Sequence, residues 1–303
     1  MSRTESHESP RPVATFRKTR SVAIQWAVVS AVGFFGFAYG FGHALATIRG
    51  TSLEPIVIPA FAPSDALVWI AVSVGLVALV VVPHELLHGA FMARYGGRPT
   101  YGVGVSHFLL PYAYAETAGT SYTRNQLLVV LLAPFVVITA VGVAAMVVYP
   151  SSLLVVPLAA NAAGSIGDLW MAAVLLQYPA DVRVAPLSDG DVQGFGIYGS
   201  SERAVGRGTG VWLLSTAAAG AAGTLAVCSI ALVGAVFCSL AVGSGTVILG
   251  STDGRWLLFR HELDPHVGAV YLEIGATLWL AVGALGGLVW AVAVGCYRSL
   301  DSA

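Results

Sequence analysis

Apolar residues along this chain come in long, nearly unbroken runs, without the three-to-four-residue stripe of a soluble amphipathic helix or the alternation of a half-buried strand. A bilayer core asks for roughly 20 apolar residues in a helix, at about 1.5 Å per residue against about 30 Å of hydrocarbon. Six runs qualify, at about 21–44, 65–95, 126–149, 152–178, within 210–242, and 267–297. Gly96-Gly97-Arg98-Pro99 stops the second run, Pro150 separates the third from the fourth, and Pro179 ends the fourth. The expected fold is therefore an all-α polytopic membrane protein of about six transmembrane helices. Residues 1–20 form a polar tail and 21–303 a single membrane domain, with a core at about 65–190 and accessory helices at 21–44, 210–242 and 267–297. Between the second and third runs, Tyr101-Gly102-Val103-Gly104-Val105 and Tyr112-Ala113-Tyr114-Ala115 are too irregular for a helix. They predict a short hairpin or loop at the membrane interface. Asp181 to Arg207 reads as a short Gly-rich loop, and the chain shows no internal repeat.

Composition agrees with a chain that sits mostly in lipid. Of 303 residues, 56% are apolar and 10% charged, where a soluble domain carries about 25% charge. A formal net charge of -1 offers no cationic surplus for nucleic acid, so nucleic-acid binding is not expected. Cys228, Cys238 and Cys296 lie in apolar stretches without metal-site spacing, so neither a disulfide framework nor a cysteine zinc site is expected. The long polar start and the lack of a cleavage pattern speak for a retained first span. Positive residues collect in cytoplasmic loops. Placing both termini in the cytoplasm leaves only Arg49, Arg255 and Arg260 of the 15 cationic residues outside, which predicts that orientation in the cell membrane.

The second run contains His84-Glu85-Leu86-Leu87-His88. Histidines four apart lie one above the other on a helix face, so both imidazoles can reach one metal, with Glu85 beside them to take a proton from a water. In a soluble helix this short pattern arises by chance. Inside a membrane helix each ionisable group costs a few kcal/mol and is seldom kept without a task. A catalytic zinc usually has three protein ligands, so one more is required. Asp168, in the small-residue stretch of the fourth run, is the best candidate. Counted back from the cytoplasmic ends of their spans, His88, His84 and Asp168 fall at depths of roughly 9, 15 and 16 Å, so they can meet. An acid hydrogen-bonded to a neighbouring helix is the plainer reading of Asp168. Asn161, two turns before Asp168, is a candidate for substrate contact or ligand orientation, a packing hydrogen bond being as good an account. His107 and Glu116 are reserves, as lining residues or alternative ligands. Glu273 and His43, near the outer ends of the sixth and first runs, read as packing residues.

The HExxH within one membrane helix, the following Gly89 and Gly96-Gly97, and the buried Asp168 two spans later resemble the site-2 protease family of intramembrane zinc metalloproteases. More narrowly, they resemble the prokaryotic putative zincin peptidase domain family, over about Val72 to Gly190. The resemblance implies zinc as cofactor, His84, His88 and Asp168 as ligands, and Glu85 as the catalytic acid/base. Asn161 and Asp168 lack the Asn-x-x-Pro and Leu-Asp-Gly surroundings of the better-known branch. The activity implied is hydrolysis of peptide bonds in membrane or membrane-proximal proteins, the substrate unwound and paired as a strand with Tyr101 to Val105. Two alternatives use the same residues, a divalent-metal binding or transport protein and an inactive zinc-stabilised scaffold. A glutamate directly after the first histidine favours hydrolysis, and transporters more often show repeated sites in symmetric halves.

Overall fold

The computed structural model describes residues 12–51, 53, 56–59, 63–105, 111–187, 194–199, 209–242, 246–251, 256–264 and 269–301. In chain order the elements are β1 (Ala14–Arg17), α1 (Arg20–Arg49), β2 (Ile56–Pro59), α2 (Pro63–Arg94), β3 (Pro99–Val105), β4 (Pro111–Thr117), β5 (Tyr122–Thr123) and α3 (Arg124–Val148). A short 3₁₀ turn, Ser152–Leu154, leads into α4 (Val155–Gly164), followed by α5 (Ile166–Leu175), β6 (Arg183–Pro186), β7 (Gly194–Tyr198), α6 (Thr209–Val242), β8 (Thr246–Gly250), β9 (Leu257–Asp264), β10 (Ala269–Ile274) and α7 (Ala276–Asp301). Among the described residues six helical segments are long and apolar enough to cross a membrane, the fourth made of the 3₁₀ turn, α4 and α5 together.

The all-α expectation needs correction, because the described residues also form two four-stranded sheets and a two-stranded one. The hairpin predicted after α2 is there, β3 and β4 pairing antiparallel from Pro99–Thr117 to Val105–Pro111. The remaining strands come from the tail before the first span and from links between spans. The stretch from Asp181 to Arg207, expected to be a loop, contributes β6 and β7. The sixth helix starts at Ala276, nine residues later than the apolar run, because Val270, Leu272 and Ile274 alternate with Tyr271 and Glu273 as a strand does. A hydropathy window merges such a strand with the helix behind it. Glu273 therefore sits on β10 opposite Arg260 and outside the sixth span.

The chain divides into two compact units. The first takes in residues 1–25, 81–137 and 167–209. Its sheet has the order β1-β7-β6-β5, and Val182, Val184, Phe195 and Ile197 pack there against Leu131 of α3 and Ala172 and Leu175 of α5. Phe16 stacks on its register partner Phe195 with ring centroids 5.2 Å apart, which ties the start of the chain to this core. Each fully buried aliphatic side chain here contributes about 1.5–3 kcal/mol. The second unit takes in residues 26–80, 138–166 and 210–303. Its core joins Leu45, Met146 and Leu158, and Arg49 closes α1 by donating from Nε and Nη2 to the Pro150 carbonyl at 3.1 and 2.7 Å. In the same unit α6 and α7 meet through small residues. A Cβ on Gly286 would lie 2.0 Å from Thr224 Oγ1, and one on Gly287 2.4 Å from the Ala217 carbonyl oxygen. Such contacts bring backbones together where lipid leaves no hydrophobic drive between helices.

Candidate metal centre and catalytic site

All the convergent side chains lie in the first unit, on α2 and α5, with a backbone carbonyl of α3 beside them. In α2 the helical repeat places His84 and His88 on one face, their rings 4.9 Å apart and inclined at 76°. Pro83, directly before the motif, removes one backbone donor from the helix at that turn. His88 is buried, 7% exposed, and its Nδ1 lies 2.8 Å from the carbonyl oxygen of Val130 on α3. A carbonyl only accepts, so Nδ1 carries the proton and donates. That tautomer leaves the Nε2 lone pair free for a ligand, the usual device by which a metal-binding histidine is oriented from its far side.

Asp168 reaches the same point from α5. The fourth span is interrupted at Ser165, whose N–H and hydroxyl both donate to the Asn161 carbonyl, at 2.9 and 2.8 Å. The break gives α5 an N-terminus of its own, with Asp168 in its first turn. Backbone N–H groups without helical partners favour a carboxylate at such a place by about 0.3–1 kcal/mol. Asp168 Oδ2 lies 3.3 Å from His84 Nε2 and 3.4 Å from His88 Nε2. The three ligand atoms all lie within 4.8 Å of one another.

The two separations from Asp168 fit zinc. With bonds of about 2.0–2.2 Å, the edge of a zinc tetrahedron is about 3.3–3.6 Å. Two imidazoles and a carboxylate are also an ordinary zinc donor set, and three protein ligands leave the fourth position for water or substrate. Glu85, between the two histidines in sequence, is half-buried.

Asn161 is buried in α4, where its carbonyl accepts from the N–H and hydroxyl of Ser165. Glu116 lies on β4 with its side chain exposed, and it is absent from the converging set among the described residues. His107 lies outside the described residues. His43 packs edge-on to Tyr39 within α1, with ring centroids 4.4 Å apart. One contributor was invisible in the sequence, the Val130 carbonyl, because a backbone group carries no residue signature. On the hairpin's other face Lys18 Nζ sits 5.3 Å from the centre of the Tyr112 ring, and burial lowers its pKa below the usual 10.5.

Comparison with known proteins bears on this segment. Residues 77–183 match the putative zincin peptidase family. The zincin match starts within α2 and ends at β6, taking in His84, Glu85, His88 and Asp168. It points to a zinc metallopeptidase, whose metal the three converging side chains would hold. No curated protein and no solved structure matches the chain.

Proposed function

We propose that this protein is a membrane-embedded zinc metalloprotease of the site-2 protease type, cleaving peptide bonds of membrane or membrane-proximal proteins. The observation that carries the proposal is the convergence of His84, His88 and Asp168 from two otherwise apolar spans, with Glu85 on the same helix turn. Ionisable groups placed so deep in apolar helices are expensive unless they share a task.

Zinc held by these three side chains supplies Lewis acidity, polarising a carbonyl oxygen and acidifying a water. The remaining work falls to the chain's own groups. His88, pinned by the Val130 carbonyl, presents Nε2 in a fixed direction. Glu85 takes a proton from the attacking water as the carbon–oxygen bond forms. It returns that proton to the amide nitrogen as the carbon–nitrogen bond breaks, which leaves an acid and an amine and needs no covalent enzyme intermediate.

A substrate strand has a natural partner in the hairpin, on the strand opposite to the one first expected. The Thr100 hydroxyl donates to the Glu116 carbonyl at 3.3 Å, so that carbonyl faces β3. Neighbouring residues of a strand alternate, and Ala113, Ala115 and Thr117 therefore turn their backbone groups to the outer edge of β4. Pairing along β4 would hold a peptide extended, as hydrolysis requires.

Orientation has support from the sheets. One is built only from the N-terminal tail and the links before the third span and after the fourth, the other only from the links after the first and fifth spans. Six alternating crossings put each set on one side, and the arginine count puts the first set, with both termini, in the cytoplasm.

The deciding experiment compares membranes from cells making wild type or Glu85→Gln, by mass spectrometry of new protein N-termini. Cleavages present with wild type, lost with Glu85→Gln and lost with a zinc chelator are expected. Identical termini in both, with zinc bound in both, would leave the scaffold reading. Uptake of zinc into proteoliposomes that survives Glu85→Gln would favour transport.

A further inference from the structure

In an α-helix each N–H donates to the carbonyl four residues back, so in α3 the Val130 carbonyl is the one that the N–H of residue 134 would meet. That residue is Pro134, inside the helix, and proline has no N–H to give. The carbonyl released in this way is the one that stands 2.8 Å from His88 Nδ1. Proline marks which carbonyl is set free, and the fold shows what takes it.

Burial makes the pairing consequential. Val130 is 0% exposed, Pro134 is fully buried and His88 is 7% exposed, so bulk water does not reach the bond. A buried carbonyl without a donor costs about as much as a lost hydrogen bond. The two residues therefore answer each other, Pro134 freeing an acceptor and His88 supplying its donor. Proline is also the residue that a helix interior accepts least readily. α3 carries one at the single position whose missing N–H opens the carbonyl beside a candidate metal ligand.

We propose that Pro134 is a positioning residue of the metal centre. By withholding a backbone donor it keeps the Val130 carbonyl open to His88 Nδ1, and so holds that imidazole with Nε2 turned to the metal. An N–H at position 134 would draw the carbonyl back into the helical ladder and leave Nδ1 without its anchor. Pro134 acts through Val130 and His88. This rests on the metallopeptidase reading and deepens it, since it assigns the aim of one ligand to the third span, through a residue with no ionisable group.

The test uses the full-length protein in detergent and zinc itself, with affinity read by competition against a chromogenic chelator. Pro134→Ala restores the N–H and removes the ring. The ring crowds the same carbonyl and is the rival cause. A second chain therefore carries the α-hydroxy analogue of alanine at position 134, with an ester oxygen where alanine has its N–H. Both chains lack the ring, and only the first can compete for the Val130 carbonyl. Unfolding temperature is measured on metal-free samples of each.

Pro134→Ala is expected to bind zinc about 10–100-fold more weakly, the usual cost of losing the partner that orients a ligating histidine. Its metal-free unfolding temperature is expected to be no lower than that of wild type, because the helix regains a ladder bond. The ester chain is expected to recover wild-type zinc affinity. Wild-type affinity in Pro134→Ala would overturn the proposal while leaving the metallopeptidase reading intact. Equal losses in the alanine and ester chains, or a metal-free unfolding temperature that drops in step with zinc affinity, would overturn it too, by making the packing of the ring the cause. If the alanine chain does not fold, the ester chain decides alone, wild-type affinity upholding the proposal and a loss of about tenfold or more refuting it. A wild-type protein that binds no zinc would overturn the metallopeptidase reading and the role of Pro134 with it.

Discussion

Asp168 is the residue on which the metal centre can be tested most sharply, because it brings the fourth span to the two histidines of the second. Its Oδ2 stands 3.3 and 3.4 Å from the two Nε2 atoms, which is tetrahedral spacing around zinc. Loss of a group that merely supports a ligand costs about 10–100-fold in metal affinity. Removing the facing oxygen itself, in Asp168→Ala, should cost no less than about 100-fold, or about 2.7 kcal/mol. Asp168→Asn keeps an oxygen but loses the charge and should fall between wild type and alanine. Zinc that binds only the folded state stabilises by RT ln(1 + [Zn]/Kd). At free zinc a thousand times the wild-type Kd this is about 4.1 kcal/mol, and after a 100-fold loss about 1.4 kcal/mol remains. The assay is thermal unfolding in detergent across a zinc titration, with bound metal measured on the same samples. Glu85→Gln should keep the wild-type zinc response. An Asp168→Ala protein stabilised by zinc as strongly as wild type would refute the assignment of the third ligand.

Other consequences are open to measurement. Gly97→Ala places a Cβ 2.1 Å from the Tyr122 hydroxyl oxygen and 2.9 Å from Thr117 Cγ2. It should destabilise the protein by about 1–3 kcal/mol, read as a lowered denaturant midpoint. Leu175, fully buried between α5 and the first sheet, should cost about 2–5 kcal/mol when cut to alanine. An effect under 1 kcal/mol would show that this core repacks around the cavity. Lys18 has its folded pKa lowered from 10.5, so between the two values the unfolded chain holds more protons and stability rises with pH. Unfolding temperature measured up to pH 10.5 should carry that rise in wild type and lose it in Lys18→Met, and equal slopes would refute it.

Six apolar runs and the HExxH were legible in the sequence because both are local. Length against bilayer thickness and a four-residue spacing on a helix need no knowledge of what lies across the fold. The choice of Asp168 was legible for a related reason, since a buried acid in an apolar span stands out wherever it occurs. The strands were not. β10 is apolar at every second position and runs straight into the apolar start of α7, so its hydropathy resembles the helix behind it. Links such as Asp181 to Arg207 form strands only because distant segments pair with them, as Arg17 does with Gly194 and Tyr122 with Val184.

What the sequence by itself determined is which groups can bind metal and which helices carry them. Only the tertiary structure decided that the fourth span breaks at Ser165, that the Val130 carbonyl fixes the tautomer of His88, and that Tyr101 rests on Gly89. Those decisions depend on backbone N–H and C=O groups, which every residue but proline carries alike, so residue identity alone cannot announce where they point.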